Sequence, residues 1–306
     1  MPLKDWLAAL AVITAWGLNF VVIKLGLSEV PPLLLGALRF GLVAVPAVFF
    51  IRRPAVPWRI IVLYGLTISL GQFVFLFVAM SVGMPAGLAS IVLQSQAFFT
   101  VLIAAVLMGE GVRWHNVLGM AVAAVGLGLI QAGAAPGTMT LTGFALTLLA
   151  ALSWATGNIV VKRAGNMATQ GTRQLDMLSL VVWGALIPPL PFLGLSLYFE
   201  GAPAIVSSLQ NITYVGVLAV FYLAVVATVM GYSLWGRLLA RHPASKVAPL
   251  SLLIPVLGLL SSSWLLGERL AVAQWLGGAV VMAGLAVNVF GQRLLGRFTA
   301  VRGVTR

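Results

Sequence analysis

Apolar residues fill this chain in ten long runs, and polar residues gather in the short gaps between them. The runs are Trp6–Leu25, Pro31–Ile51, Trp58–Ser81, Ala86–Met108, Arg113–Gln131, Leu141–Lys162, Leu175–Tyr198, Ile212–Arg241, Ser245–Leu266 and Ala271–Gly291. A helix needs about 20 apolar residues to cross the roughly 30 Å hydrocarbon core of a bilayer, so each run predicts one spanning helix. The gaps carry breaker signals: Pro31-Pro32, Arg53-Pro54, Gly83-Met84-Pro85, Gly109, Ala135-Pro136-Gly137 and His242-Pro243. Pro188, Pro189 and Pro191 predict a bend in the seventh run, and Pro249 and Pro255 predict bends in the ninth. Membranes tolerate such bends where neighbouring helices satisfy the freed carbonyls.

Composition agrees with a membrane chain. Of 306 residues, 61% are hydrophobic and 8% charged, against about 25% charged in a soluble domain. The net charge of +12 does not point to nucleic acid. No basic run is interleaved with aromatics, and Lys and Arg collect in the cytoplasmic loops of membrane proteins. There are no cysteines, hence no disulfide framework and no thiolate metal site. His115 and His242 have no ligand-spaced partner, so no metal or cofactor is expected. Lys4 before an apolar run resembles a signal peptide. The run continues into a polar-spotted stretch, Ala8 to Lys24, that recurs later in the chain, so it is expected to be retained.

Charge sets the orientation. With the N-terminus inside and the helices alternating, the inner side holds Lys4, Arg52, Arg53, Arg59, Arg113, Lys162, Arg163, Arg173, Arg237, Arg241, Lys246, Arg293, Arg297, Arg302 and Arg306. That is fifteen of the 18 basic residues. The outer side holds Lys24 and Arg269, and Arg39 lies inside the second run. So strong a positive-inside bias predicts ten helices with both termini cytoplasmic. A nine- or eleven-helix arrangement would put the later basic clusters on the wrong side.

The chain also repeats itself. PAGLASIVLQSQAFFTVLIAAVLMGE, from Pro85 to Glu110, and PASKVAPLSLLIPVLGLLSSSWLLGE, from Pro243 to Glu268, share their ends at an offset of 158. At that same offset Gly119 falls on Gly277 and Gly126 on Gly284. Trp16 and Lys24 match Trp154 and Lys162 at an offset of 138, so about twenty extra residues lie in the second half between these points. Five helices per copy is an odd number, which inverts the second copy relative to the first. The expected organisation is a first repeat at 1–131, a connecting loop at 132–140, a second, inverted repeat at 141–291 and a basic tail at 292–306. Inverted repeats are typical of secondary transporters, with the site near the midplane between the halves.

Trp16-Gly17-Leu18-Asn19-Phe20, Pro31-Pro32 followed by Leu38-Arg39-Phe40, the two Gly-Glu pairs, and Trp154 with Gly157-Asn158 resemble the EamA family of drug/metabolite transporters over nearly the whole chain. Two denser stretches, Met84 to Ser90 continuing through Gln94 to Thr100, and Val247 to Leu253, are similar to the family's O-acetylserine/cysteine exporters. The resemblance implies a ten-helix exporter in the bacterial inner membrane. It would carry small amino-acid metabolites of the cysteine or O-acetylserine type through a central cavity by alternating access. The alternatives are an exporter of another neutral or carboxylate-bearing metabolite, or a membrane enzyme. No Ser-His-Asp set, cysteine or paired intramembrane carboxylates supports the enzyme. The partners expected are a small-molecule substrate and the bilayer; a homodimer is left open.

The candidate substrate-binding residues are Trp16, Asn19, Arg39, Gln72, Ser90, Gln94, Trp154, Asn158, Tyr222 and Tyr232. Arg39 is the sharpest, because an ionised arginine at depth costs at least about 2.5–3.5 kcal/mol and is usually cavity-facing or paired. It either receives a substrate carboxylate or gates the cavity, or else it snorkels or caps helix carbonyls. Asn19 and Asn158 offer amides to a zwitterion, or to a neighbouring helix. Ser90 and Gln94 share one face of the fourth run; Gln96 and Thr100 share another. Ser90/Gln94 is the face expected to look into the cavity. Tyr222 and Tyr232 in the eighth run serve either the cavity or the interfacial belt. Glu110 and Glu268 read as helix-end residues favoured by the helix dipole. All six carboxylates lie at helix ends or in loops, which disfavours an organic-cation substrate.

Overall fold

In a computed structural model, the backbone is described for residues 1–134, 138–170 and 175–302. Side chains are described for the same residues except 168–170, Ala244, Ser245, Ala248 and 292–302. The Ala135-Pro136-Gly137 breaker, Arg173, and the basic side chains of the 292–306 tail therefore lie outside the described residues. Among the described residues the fold is all-helical. Eight helices are long and apolar enough to cross a bilayer: α1 (Leu3–Glu29), α3 (Trp58–Ser81), α4 (Ala86–Met108), α5 (Trp114–Ala132), α6 (Leu141–Met167), α7 (Met177–Phe199), α8 (Tyr214–Arg241) and α10 (Val272–Gly291). Two shorter apolar helices, α2 (Pro32–Ala47) and α9 (Pro249–Leu265), complete the bundle. Part of the second half's extra length is a short helix, Ala202–Asn211, between α7 and α8. Large apolar side chains such as Phe49, Phe50, Val106 and Trp264 stand fully outward. An outer surface like this suits lipid rather than water.

Packing pairs the helices symmetrically. Helix α1 packs on α8 and α9, α6 packs on α3 and α4, and α2 meets α7, α4 meets α9 and α5 meets α10. Exchanging each of α1–α5 with its counterpart in α6–α10 maps this set of neighbours onto itself, as a pseudo-two-fold axis requires. The α5–α10 crossing is reciprocal at atomic scale. A Cβ on Gly119 would stand 2.7 Å from the Gly284 carbonyl oxygen, and one on Gly284 would stand 2.6 Å from that of Gly119. Gly126 and Gly277 repeat the arrangement at 2.7 and 2.6 Å. Backbones approach this closely only where side chains are absent. Asn116 Nδ2 adds a hydrogen bond to Asn288 Oδ1 at 2.6 Å across the same pair.

The irregularities repeat as well. Helix α3 is π-helical over Gly65–Gly71 and α8 over Tyr222–Met230. Helix α4 tightens to a 3₁₀ turn at Leu93–Ser95, and the chain entering α9 does so at Ala248–Leu252. The proline-rich stretch of α7 breaks it between Gly184 and Pro189, and Ile187 of that break packs on Gly65 of the α3 π segment. Ser153 of α6 donates to the Thr67 carbonyl at 2.8 Å within the same segment.

The two ends of the bundle differ in packing. One end gathers Glu29, Glu200 and Glu268, and the other Asp5, Glu110 and Asp176. Glu200 accepts from the Leu33 and Leu34 amides at 2.6 and 3.1 Å, capping α2. Asp5 meets Arg241 at 3.3 Å and His242 at 2.7 Å. The largest core cluster centres on the Glu268 end, and a smaller one built on Ile61, Tyr64 and Val160 lies toward the other. Trp154 packs against both.

Candidate functional site

Arg39 sits in the second turn of α2 and is buried, at 3% exposure. Its Nη2 donates to Thr228 Oγ1 at 3.1 Å, and its guanidinium lies over Phe73 at 4.1 Å and near Phe40 at 5.4 Å. Its Nε and Nη1 are buried with no hydrogen-bond partner. Among the described residues no ion pair reaches it. Two aromatic faces and one hydroxyl therefore hold the cation, each aromatic worth roughly 0.5–2 kcal/mol. Two buried donor positions are left over, where native structures rarely leave any.

The π segment of α8 arranges the other side of the site. Thr228 donates to the Leu223 carbonyl at 2.8 Å while it accepts from Arg39. Trp16 Nε1 donates to the Ala227 carbonyl at 2.8 Å, and Tyr222 donates to the Ala15 carbonyl at 2.9 Å. These bonds tie α1 to the π segment of α8, the kind of local distortion that recurs at functional sites. The Trp16 ring packs on Tyr232 at 5.2 Å and on Trp235 at 5.5 Å. Gly231 leaves room for the indole, since a Cβ there would stand 2.5 Å from Trp16 Nε1.

Two buried acceptors on neighbouring helices also lack partners. Gln72, next to Phe73 in α3, is 5% exposed with an unpartnered Oε1. Asn19, one helical turn from Trp16 in α1, has an unpartnered, buried Oδ1. A cleft of about 300 Å³ reaches Tyr232 from the end that holds Asp176 and Arg237, and Ser233 and Gly236 also line it. A second cleft, of about 330 Å³, lies at the opposite end among Lys24, Pro85, Glu268 and Arg269.

The remaining candidates separate. Asn158 Nδ2 donates to Gln96 Oε1 at 2.7 Å and to Thr100 Oγ1 at 3.2 Å, so α6 addresses the Gln96/Thr100 face of α4. Gln94 is half-buried in the tightened turn. Ser90 donates to the Gly87 and Pro255 carbonyls at 2.6 and 3.1 Å and sits where a Cβ on Gly258 would meet it at 2.7 Å. Its hydroxyl is engaged in the α4–α9 crossing. Phe73 carries Arg39 without having been singled out in the sequence, because an aromatic in an apolar membrane helix gives no polarity signal.

Comparison with known proteins converges. The sequence profile of the EamA-like transporter family matches residues 4–131 and again 141–290. A Salmonella typhimurium (strain LT2) protein named "Probable amino-acid metabolite efflux pump" is 52% identical over 295 residues, covering 96% of this chain and 97% of its own. The protein of that name in Escherichia coli K12 is 50% identical over 294 residues, with the same coverage. A "Probable terminal-alkyne amino-acid exporter" of Streptantibioticus cattleyicolor is 28% identical over 95% of this chain and 94% of its own. A crystal structure at 21% identity superposes with a TM-score of 0.64 over 96% of this chain and 99% of that one, which shows a shared fold.

Proposed function

The chain belongs to the EamA-like transporter family and is a multi-pass membrane transporter, and on that premise we propose that it exports small carboxylate-bearing amino-acid metabolites of the cysteine and O-acetylserine type across the bacterial inner membrane. It does so by alternating access, with ten spanning helices in two inverted five-helix halves and both termini in the cytoplasm. Fifteen of the 18 basic residues fall on the cytoplasmic side of that arrangement, and the symmetric helix pairing supports the inversion.

The observation that carries the substrate class is Arg39, a buried cation with two unused donor nitrogens. A substrate carboxylate arriving there gains a charge-assisted, planar partner. Asn19 Oδ1 and Gln72 Oε1, both acceptors without partners, suit the substrate's ammonium. Trp16, Tyr222 and Tyr232 wall the site between α1 and α8, while Asn158 belongs to a separate polar seam with Gln96 and Thr100 of α4. Ser90 serves the helix crossing beside it. The efflux-pump and exporter names of the relatives support export and an amino-acid class of cargo.

The test is release of O-acetylserine and cysteine from cells overproducing the chain. The external pool rises and the internal one falls, and Arg39→Ala abolishes the difference at normal membrane abundance. Unchanged export by Arg39→Ala overturns the site. A flat external pool while a different amino acid rises overturns the substrate.

A further inference from the structure

The two Gly-Glu pairs share one backbone geometry and differ in what their carboxylates hold. Gly109 and Gly267 end their helices at φ +67° and +65°, a left-handed closure that glycine supplies. The next amide completes the same turn in both halves: Glu110 N–H donates to the Ala104 carbonyl at 3.4 Å, and Glu268 N–H to the Ser262 carbonyl at 3.5 Å. The side chains then part. Glu268 Oε1 and Oε2 accept from the Ala86 and Gly87 amides at 2.7 and 3.0 Å, so Glu268 clamps the start of α4 to the end of α9. Glu110 holds the Lys162 ammonium. Lys24, the counterpart of Lys162, shares a cleft wall with Glu268 and donates to the Met80 carbonyl at 3.2 Å.

Packing follows the same asymmetry. Every residue from Ala86 to Leu93 is buried. Ile91, Val92, Leu93 and Ser95 are buried, whereas Pro249 to Leu253, the counterparts of Ile91 to Ser95, are half-buried or exposed. The Glu110–Lys162 pair is exposed as well, while Lys24 and Glu268 are half-buried. Among the described residues, Glu268 shuts its end around the start of α4, while Glu110 holds Lys162 and the stretch Pro249 to Leu253 is less buried than Ile91 to Ser95.

We propose that Glu110 and Glu268 are the two latches of the transport cycle and that this structure is its inward-facing state, an inference that rests on the topology and transport reading above. In the outward-facing state Glu110 leaves Lys162 for the amides of Ala244 and Ser245, the counterparts of Ala86 and Gly87. Glu268 leaves α4 for Lys24. Each state then contains one carboxylate on a helix N-terminus and one on a lysine, both charge-assisted. The exchange trades like for like, which keeps the two states close in free energy, as a carrier that must visit both requires.

The chain has no cysteine, so single reporters are clean. Val92→Cys and Leu250→Cys, related by the offset of 158, report the two ends, with a membrane-impermeant maleimide applied to spheroplasts or to inside-out vesicles. In the otherwise unaltered chain, Leu250→Cys reacts in inside-out vesicles and Val92→Cys is protected in spheroplasts. Adding Glu268→Gln raises Val92→Cys labelling from outside by roughly tenfold, the scale of losing one charge-assisted contact, and lowers that of Leu250→Cys. Lys24→Ala, which removes the receiver of Glu268, moves both rates the opposite way, and Glu110→Gln leaves Val92→Cys protected. Unchanged labelling with both Glu268→Gln and Lys24→Ala overturns the latch. Rapid labelling of Val92→Cys from outside without any latch substitution overturns the inward-facing assignment. Labelling from the opposite faces overturns the topology instead. None of these readouts needs a substrate, so a wrong cargo in the export assay leaves them intact.

Discussion

At the scale of the residue, the proposed substrate class rests on Arg39. Thr228 occupies one of its nitrogens at 3.1 Å, Phe73 and Phe40 cushion its face, and the rest of its donors stay free. Lysine keeps the charge but has neither the planar fork nor the stacking face. Arg39→Lys is therefore expected to retain membrane abundance and lose export by roughly tenfold, the equivalent of about 1.4 kcal/mol. Thr228→Val removes the hydroxyl and keeps the shape. Losing one hydrogen bond to a charged group, roughly 1.5–3 kcal/mol, lets the guanidinium drift, so the concentration for half-maximal export rises while the maximal rate is spared. Concentration dependence in everted vesicles checks both variants.

At the scale of elements, the paired distortions matter more than the regular helices. The π segments in α3 and α8 fall at counterpart positions. The one in α8 turns Thr228 toward Arg39 and the Ala227 carbonyl toward Trp16. The glycine crossing of α5 on α10 is the opposite kind of feature, a rigid seam away from Arg39. Gly126→Leu drives a side chain into the Gly277 carbonyl and Val281 amide, both under 3 Å from a Cβ at that position. Overpacking costs about 1–3 kcal/mol even where side chains can yield, and here the obstacle is backbone. The expected result is a lower melting temperature in detergent and less protein in the membrane. Gly128→Ala, at a position with open space around its Cβ, leaves both unchanged.

At the scale of the molecule, the proposed orientation rests on charge and the proposed cycle on symmetry. A fluorescent-protein fusion at the C-terminus is expected to be bright and an alkaline phosphatase fusion there inactive. A phosphatase fusion after Glu29 is expected to be active, because only Lys24 and Arg269 sit on the outer side in this reading. Bright fluorescence with an inactive phosphatase after Glu29 would invert the proposed orientation of α1.

The sequence by itself determined that the chain is an integral membrane transporter, that it is helical, and which residues are unusual. Helicity, membrane insertion and the unusual residues follow from local quantities, namely apolar run length, breaker residues and the lone arginine at depth, while transport follows from the repeat and the family resemblance. It also named Trp16, Tyr222 and Tyr232, which the structure joins in contacts between α1 and α8. Only the tertiary structure decided which polar face meets which neighbour. Periodicity places Ser90 with Gln94 and Gln96 with Thr100 but does not say where either face looks. The 3₁₀ turn at Leu93–Ser95 rotates the helix in mid-course, and long-range packing puts Asn158 against Gln96 and Thr100 while Ser90 is engaged at Pro255. The closing residues of the duplicated stretch make the same point. Two near-identical Gly-Glu pairs, indistinguishable as sequence, hold a helix N-terminus in one case and a lysine in the other, because a symmetric sequence folded into an asymmetric state must satisfy the same groups in two ways.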